Sequence, residues 1–159
     1  MKILISDPIS ESGLKVIKEF GFKAIYLPTA TDMEKKKASR DVNGWIIRSG
    51  TKINSDSFSF ANNLRVIGRA GVGVDNIDII ESTRKGVVVL NTPDSNTISA
   101  AEHTMGLILS ISRNIHSGHM SLTNNLWDRN KFVGYELKGK TIGIVGPVSY
   151  THLTLPTKA

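Results

Sequence analysis

The sequence predicts an α/β protein built on a doubly wound parallel sheet. Five short runs of apolar, often β-branched residues alternate along the chain with stretches of helical character. Each run is apolar at nearly every position, which is typical of strands covered by helices on both faces. Polar loops, several of them containing glycine, follow the third, fourth and fifth runs. Such loops are expected at the carboxyl edge of a parallel sheet, where these folds bind ligands.

The strands and the helices between them can be assigned in order as far as Asn91. Ser10 or Ser12 can cap the first helix, and Gly21 suits the position after its end. The apolar residues that share one face of this helix are Leu14, Ile17 and Phe20. The predicted strands are residues 3–6, 23–27, 44–48, 64–68 and 87–91. The other helices are predicted at residues 32–39, 54–62 and 77–84.

A single long helix is predicted after Asn96. Ser99 and Glu102 have the spacing of a capping box. The apolar residues that recur at helical spacing, and are expected to pack, are Ile98, Ala101, Met105, Ile108 and Ile115. His103 has no carboxylate or nucleophile at a spacing that would recruit it, so we expect no catalytic role for it. An irregular polar stretch then leads to a sixth strand at residues 141–145.

Composition and charge argue against several classes of protein. The chain has 159 residues, no cysteine and a net charge of +6. The lack of cysteine excludes disulfides and thiolate metal sites, and the four histidines have no paired metal spacing, so no metal is expected. The basic residues are dispersed except at Lys35-Lys36-Lys37, which we interpret as a solvent-exposed helix face rather than a nucleic-acid site. Because there is no long apolar span and Met1 leads directly into a strand, we expect a cytoplasmic protein without membrane contact.

Three strand ends carry groups suited to an anionic ligand. Arg48 and Ser49 follow the third strand, Arg69 begins a glycine-containing loop after the fourth, and Asn96 closes the loop after the fifth. Guanidinium forks and backbone N–H groups match the geometry of carboxylates and phosphates. Because the carboxyl ends of parallel strands lie at one edge, we expect these loops to share a crevice. Taken alone, the glycine loop is equally compatible with a tight turn beside an incidental arginine.

Four motifs together resemble the D-isomer-specific 2-hydroxyacid dehydrogenases, in the order found in that family. The motifs are IRSGTK at residues 47–52, GRAGVGVDN at 68–76, NTISAAEH at 96–103 and GKTIGIVG at 139–146. The resemblance covers residues 1–146 and implies a flavodoxin-like substrate domain at 1–95 that lacks its C-terminal return helix. It further implies that residues 96–146 are the linker helix and first strand of a truncated Rossmann NAD-binding domain. Residues 147–159 do not resemble the family, and we expect them to be a non-native tail.

The resemblance implies NAD-dependent oxidation of 3-phosphoglycerate to 3-phosphohydroxypyruvate, a step of serine biosynthesis, by a homo-oligomeric enzyme. By the same resemblance, Arg48 would bind phosphate, Arg69 would be a second cationic contact, and the Val72 and Gly73 amides would hold the carboxylate beside the nicotinamide. The implied substrate-binding residues are Arg48, Ser49, Arg69, Val72, Gly73 and Asn96, and the implied cofactor-binding residues are Val72, Thr97 and Gly146. Helix capping is an alternative role for Thr97. For Arg129, a solvent-exposed position is favoured over a contact to a partner subunit.

In the family, the catalytic arginine, glutamate and histidine lie in sequence that follows the matched segment. We therefore expect no catalytic residue in this chain and no turnover by it alone. A second interpretation is a corepressor-like module that binds NAD and a protein, and a third is a dehydrogenase or reductase for glyoxylate, hydroxypyruvate or D-lactate. The opening residues also resemble a phosphorylated receiver module, but a receiver needs an aspartate after the third strand, where this chain has Arg48.

Overall fold

A computed structural model describes residues 1–145 of the chain. Its five strands form one sheet in which every neighbouring pair is parallel, in the order β2-β1-β3-β4-β5. The strands are β1 (Lys2–Ile5), β2 (Lys23–Tyr26), β3 (Gly44–Ile47), β4 (Val66–Arg69) and β5 (Val88–Asn91). The helices are α1 (Glu11–Glu19), α2 (Asp32–Ser39), α3 (Ser55–Phe60), α4 (Ile79–Arg84), α5 (Thr97–Ser112) and α6 (Ile115–Thr123), followed by a short 3₁₀ helix, Arg129–Phe132. The predicted doubly wound sheet is confirmed, with the flavodoxin-like strand order.

The chain divides into two compact units, Met1–Ser95 and Asn96–Ala159. The first unit holds the whole sheet and helices α1 to α4. No helix among residues 1–145 is long and apolar enough to cross a membrane.

Successive strand residues point to opposite faces of the sheet, and each face has its own core. Trp45, Ile47 and Ile67 are buried on one face together with Phe58 of α3. Ile3 and Ile5 are buried on the other face together with Ile17 of α1. Both faces of the sheet are thus covered, as the nearly continuous apolar strands predict.

The first helix begins as predicted and ends one residue before its predicted last apolar member. Ser10 is the N-cap, and its Oγ accepts a hydrogen bond from the Gly13 amide at 3.2 Å. Phe20 was predicted to share one helix face with Leu14 and Ile17, but it lies just beyond the helix and is 73% exposed. It occupies the C-cap, where the backbone is no longer helical, and its ring stacks on Phe22 with centroids 6.4 Å apart.

The lysine run of α2 is not the uniformly solvated face that the sequence predicts. Lys35 is only 9% exposed, and its Nζ donates a hydrogen bond to Thr51 Oγ1 at 3.2 Å. Lys36 pairs with Asp56 of α3, and Lys37 is exposed. The prediction was wrong for Lys35 because α2 packs beside the loop that follows β3, and this places one lysine of the three in the interior.

The second unit differs from the sequence prediction at both ends of its first helix. The helix starts at Thr97, so Ser99 lies inside it and the predicted Ser99–Glu102 capping box is absent. The expected single helix is two helices, because Asn114 adopts a left-handed conformation with φ 53° between α5 and α6. Ile98 and Ile115, which were expected to pack, are 63% and 56% exposed.

The predicted sixth strand is also absent from the structure. Residues 141–145 have no regular secondary structure, and all five are exposed. A strand needs a hydrogen-bonded neighbour, and the described residues supply none at this position. Gly146 and the expected tail at 147–159 lie outside the described residues.

Candidate functional site

The loop after β3 is fixed by a buried carboxylate from the end of β1. Asp7 is 4% exposed, and its Oδ2 accepts hydrogen bonds from the Arg48 amide at 2.6 Å and the Thr51 amide at 3.0 Å. Its Oδ1 lies 2.9 Å from Thr51 Oγ1, which donates to it. Asp7 therefore sets the backbone from which Arg48 projects. Asp7 was not predicted from the sequence, although a carboxylate two residues after β1, at the same edge of the sheet as Arg48, was an available signal.

Asn76 also holds the loop at residues 48–51, by hydrogen bonds to its carbonyl groups. Its Nδ2 donates to the carbonyl oxygens of Arg48 and Thr51, each at 2.6 Å. Two carbonyls of the loop are thus held by one amide, while two of its backbone N–H groups are held by Asp7. This loop, residues 48–51, has little freedom to move relative to the sheet.

Gly50 gives the loop the space to close over Asp7. A Cβ at position 50 would lie 2.8 Å from Asp7 Oδ1, closer than real Cβ contacts allow. Because Asp7 is buried and hydrogen-bonded on both oxygens, it cannot move aside easily. Glycine at this position is therefore required by the carboxylate beneath it.

The loop presents a free cationic group to solvent. Arg48 and Ser49 are exposed, and Arg48 Nη1 donates one hydrogen bond of 3.3 Å to the carbonyl of Pro8. Among residues 1–145, Arg48 is in no ion pair. It borders an open cleft of about 420 Å³ whose lining includes Ile9, Val16 and Ala70. This arrangement leaves most of the guanidinium donors available to an anion.

The glycine loop after β4 accommodates its own arginine. A Cβ on Gly71 would lie 2.7 Å from Arg69 Nη1, so the side chain of Arg69 folds back across the loop. The Arg69 Nε is buried and has no hydrogen-bond partner among the described residues. The loop is tied to β5 by Asn91 Nδ2, which donates to the Val72 carbonyl at 2.6 Å.

The backbone of that loop offers donors without acceptors. Within the described part of the chain, neither the Val72 amide nor the Gly73 amide donates to any protein acceptor. Val72 is half-buried, and Gly73 is exposed. Near Gly73 these two N–H groups have both an arginine and a carboxylate as neighbours: a Cβ at position 73 would lie 3.8 Å from Arg69 Nη1 and 2.9 Å from Asp75 Oδ1.

The two arginines lie at neighbouring strand ends but start from opposite faces of the sheet. Arg69 pairs in register with Ile47, whose side chain is buried in the core that contains Trp45. Arg48 is the next residue after Ile47 and therefore points to the other face, where it borders the cleft beside α1. The structure thus places both at the predicted edge, on either side of the sheet rather than side by side on one face.

The remaining predicted residues belong to the second unit or lie beyond the described residues. Asn96 is exposed at the N-cap of α5, and its side chain makes no capping hydrogen bond. Thr97 is 7% exposed, and its Oγ1 has no partner among residues 1–145, so it does not cap the helix. His103 and Arg129 are both exposed. Gly146 lies outside the described residues.

Comparisons with known proteins agree on one family. The family described as "D-isomer specific 2-hydroxyacid dehydrogenase, catalytic domain" matches residues 3–157, so the match includes most of the expected tail, and a non-native origin of 147–159 stays a prediction. The D-3-phosphoglycerate dehydrogenase of Methanocaldococcus jannaschii is 45% identical over 149 residues, which are 92% of this chain and 28% of the relative. That of Bacillus subtilis is 44% identical over 145 residues, 91% of this chain and 27% of the relative. The chain therefore spans about a quarter of the length of these relatives.

Two solved structures of NAD-bound dehydrogenases are similar in fold to this chain. The NAD-dependent formate dehydrogenase of Staphylococcus aureus, in complex with NAD, has a TM-score of 0.85 at 27% identity, covering 97% of this chain and 52% of that one. The NAD+-bound 3-phosphoglycerate dehydrogenase of Entamoeba histolytica has a TM-score of 0.64 at 31% identity, and the match covers 71% of this chain and 39% of that one.

Proposed function

The chain belongs to the D-isomer-specific 2-hydroxyacid dehydrogenase family, and on that premise we propose that it is the substrate-binding segment of an NAD-dependent 3-phosphoglycerate dehydrogenase. The observation that carries this proposal is the rigid loop at residues 48–51. Asp7 and Asn76 hold its backbone, while the Arg48 guanidinium stays exposed and unpaired among the described residues. A cation positioned in this way suits the phosphate of a small substrate.

We assign the two ends of 3-phosphoglycerate to two different parts of this edge. We assign the phosphate to Arg48 and Ser49, which are exposed on one loop. We assign the carboxylate to the Val72 and Gly73 amides, which have no acceptor among the described residues, with Arg69 supplying positive charge beside them. Asn96, which belongs to the second unit, is assigned a substrate-binding role only by its match to the family motif. Planar guanidinium groups and paired N–H donors suit phosphate and carboxylate better than lysine does.

The residues assigned to NAD are Val72, Thr97 and Gly146. The buried Thr97 hydroxyl, which lacks a partner among residues 1–145, is a polar group that a bound cofactor could satisfy, whereas Val72 and Gly146 are assigned by their match to the family motifs alone. A cofactor held by these residues would supply the hydride acceptor for oxidation of the carbon that bears the substrate hydroxyl. The chain's own contribution is to bind the acid and to orient it.

The proton-transfer groups are assigned to the remainder of the whole protein. We propose that this chain alone binds NAD weakly and does not turn over substrate, because it carries no catalytic arginine, glutamate or histidine at a family motif position. The proposal includes a role in serine biosynthesis and a homo-oligomeric whole protein. A cytoplasmic location stays a prediction from the sequence.

The test is an assay of NADH formation by the full-length protein with 3-phosphoglycerate, D-glycerate and D-lactate, each in the presence of NAD. We expect the highest kcat/KM with 3-phosphoglycerate and a large loss with D-glycerate, which lacks the phosphate. Equal activity with D-glycerate or D-lactate would instead support a dehydrogenase for an unphosphorylated acid. The 159-residue chain, assayed in parallel, is expected to give no NADH above a heat-treated control.

A further inference from the structure

A buried network of hydrogen bonds links helix α2 to the backbone of Arg48. It begins at Lys35, whose Nζ donates to Thr51 Oγ1 at 3.2 Å. Thr51 Oγ1 lies 2.9 Å from Asp7 Oδ1, and Asp7 Oδ2 accepts from the Arg48 amide at 2.6 Å. The Lys35 ammonium is thus joined to the loop at residues 48–51 through one hydroxyl and one carboxylate.

The direction of this network follows from the Asp7 carboxylate, the strongest acceptor within reach of the Thr51 hydroxyl. The Lys35 ammonium can only donate, so Thr51 Oγ1 accepts from it and is free to donate its own proton to Asp7. The Trp45 indole Nε1 donates to Ser6 Oγ at 2.8 Å, and Ser6 Oγ lies 2.9 Å from Thr51 Oγ1. Ser6 therefore donates to Thr51, whose two lone pairs are then filled by Ser6 and Lys35. The competing acceptor for the Thr51 proton, the Ser6 carbonyl, is more distant at 3.4 Å.

Packing alone does not account for a lysine at position 35. The side chain is 9% exposed, and among residues 1–145 Lys35 belongs to no ion pair. Lysine is rarely buried to this degree without a charged partner, and a methionine of similar length would fill the space without desolvating a charge. The Lys35 ammonium occupies one lone pair of Thr51 Oγ1, which leaves the Thr51 proton for Asp7 Oδ1 and leaves Asp7 Oδ2 for the two loop amides.

Lys35 and Arg48 border different clefts, so an effect of Lys35 on Arg48 has to pass through the residues between them. Its cleft, of about 280 Å³, is lined among others by Lys52 and Trp45, whereas Arg48 borders the cleft beside α1. We propose that Lys35 is a positioning residue that holds the Arg48 loop in its substrate-binding form through Thr51 and Asp7. This inference rests on the proposed role of Arg48 in binding substrate.

The first test follows the loop itself and needs no substrate. In the 159-residue chain, we compare Lys35→Met with Lys37→Met, which removes an exposed lysine of the same helix, using ¹H–¹⁵N NMR spectra. Lys35→Met is expected to shift the Arg48 amide and the Trp45 indole resonances, while Lys37→Met leaves both in place. Unmoved resonances in folded Lys35→Met would overturn the proposal.

A double-mutant cycle tests the route through Thr51. Thr51→Val keeps the volume of the side chain and removes its hydroxyl, whereas Thr51→Ser keeps the hydroxyl. The effect of Lys35→Met on the Arg48 amide should vanish in the Thr51→Val background and persist in the Thr51→Ser background. An effect of equal size in the Thr51→Val background would contradict the proposed route. If Lys35→Met does not fold, Thr51→Val compared with Thr51→Ser still tests the link to Arg48, since only the valine variant should shift its amide.

The second test measures substrate affinity in the full-length protein. Lys35→Met should raise the KM for 3-phosphoglycerate by about tenfold, with kcat changed by less than about twofold and the KM for NAD unchanged. An unchanged KM for 3-phosphoglycerate, in a variant with a shifted Arg48 amide, would overturn the positioning role. Absence of any activity with 3-phosphoglycerate would count against the proposed function instead, and the NMR result would stand independently of it.

Discussion

Replacing Asp7 should destabilise the first unit more than replacing any exposed carboxylate. Asp7 is 4% exposed and accepts hydrogen bonds from two backbone amides and one hydroxyl, at 2.6, 3.0 and 2.9 Å. Asp7→Ala leaves the amides of Arg48 and Thr51 without acceptors, while the Thr51 hydroxyl can turn to the Ser6 carbonyl. Each unsatisfied buried donor costs about 1–3 kcal/mol. The removal of a buried charge offsets part of this, so we expect a loss of about 2–4 kcal/mol.

Asp7→Asn should have a smaller effect, because the amide oxygen can still accept from both backbone N–H groups. Its NH2 group then faces Thr51 Oγ1, which already accepts from Lys35, so we expect a loss of about 1–2 kcal/mol. The assay is urea denaturation followed by the fluorescence of Trp45, which is 2% exposed in the same unit. A Trp127→Phe background removes the second tryptophan, which is 75% exposed.

Asp41 supplies the control for the change in charge. It is exposed, and Asp41→Asn should change the free energy of unfolding by less than about 0.5 kcal/mol. An Asp7→Ala variant as stable as Asp41→Asn would refute the conclusion that Asp7 holds the loop at residues 48–51.

Three further outcomes follow from the same geometry. Gly50→Ala should lower the free energy of unfolding by more than Gly71→Ala does. The new Cβ at position 50 meets the fixed carboxylate of Asp7, whereas at position 71 it meets the mobile end of the Arg69 side chain. Equal urea midpoints for the two variants would contradict this expectation. Asn76→Ala should lower the free energy of unfolding by about 1–3 kcal/mol and broaden the NMR signals of the loop at residues 48–51, because two of its carbonyls lose their donor. Sharp, unshifted signals from this loop would contradict the expectation. The backbone amide of Thr31, the N-cap of α2, donates a hydrogen bond to the Glu34 carboxylate and lowers the pKa of Glu34. The stability that this interaction contributes is therefore present above the ordinary glutamate pKa and is lost as the pH falls through the lowered pKa. The stability difference between the parent and Glu34→Gln should therefore shrink in acid, and thermal unfolding that gave a constant difference would contradict this.

The sheet, and the loops at its carboxyl edge, could be predicted because they depend on local patterns. A strand buried on both faces is apolar along its whole length, so β3 and β4 stand out in the sequence, and the residues that follow them are easy to locate. Arg48 and Arg69 were found in this way. The substrate and cofactor roles assigned to them and to the other motif residues stay predictions.

The parts that could not be predicted depend on contacts between distant residues. Asp7 and Arg48 are 41 positions apart; the position of Asp7 after β1 indicates the edge of the sheet, but not that its carboxylate is buried under the loop that follows β3. Lys35 resembles its neighbours in the lysine run, and only the packing of α2 beside Thr51 distinguishes it. The expected strand at 141–145 has suitable residues, but a strand forms only with a hydrogen-bonded neighbour.

The most direct test of the substrate-binding edge is the KM for 3-phosphoglycerate of the full-length Arg48→Ala variant. Loss of a charge-assisted contact of about 1.5–3 kcal/mol should raise this KM by roughly tenfold to a hundredfold, with little change in the KM for NAD. Arg65→Ala is the matched control, because Arg65 is an exposed arginine that precedes β4 at the opposite edge of the sheet. A KM that rises in Arg48→Ala and not in Arg65→Ala is the predicted result. An unchanged KM in Arg48→Ala would contradict the assignment of this edge as the substrate-binding site.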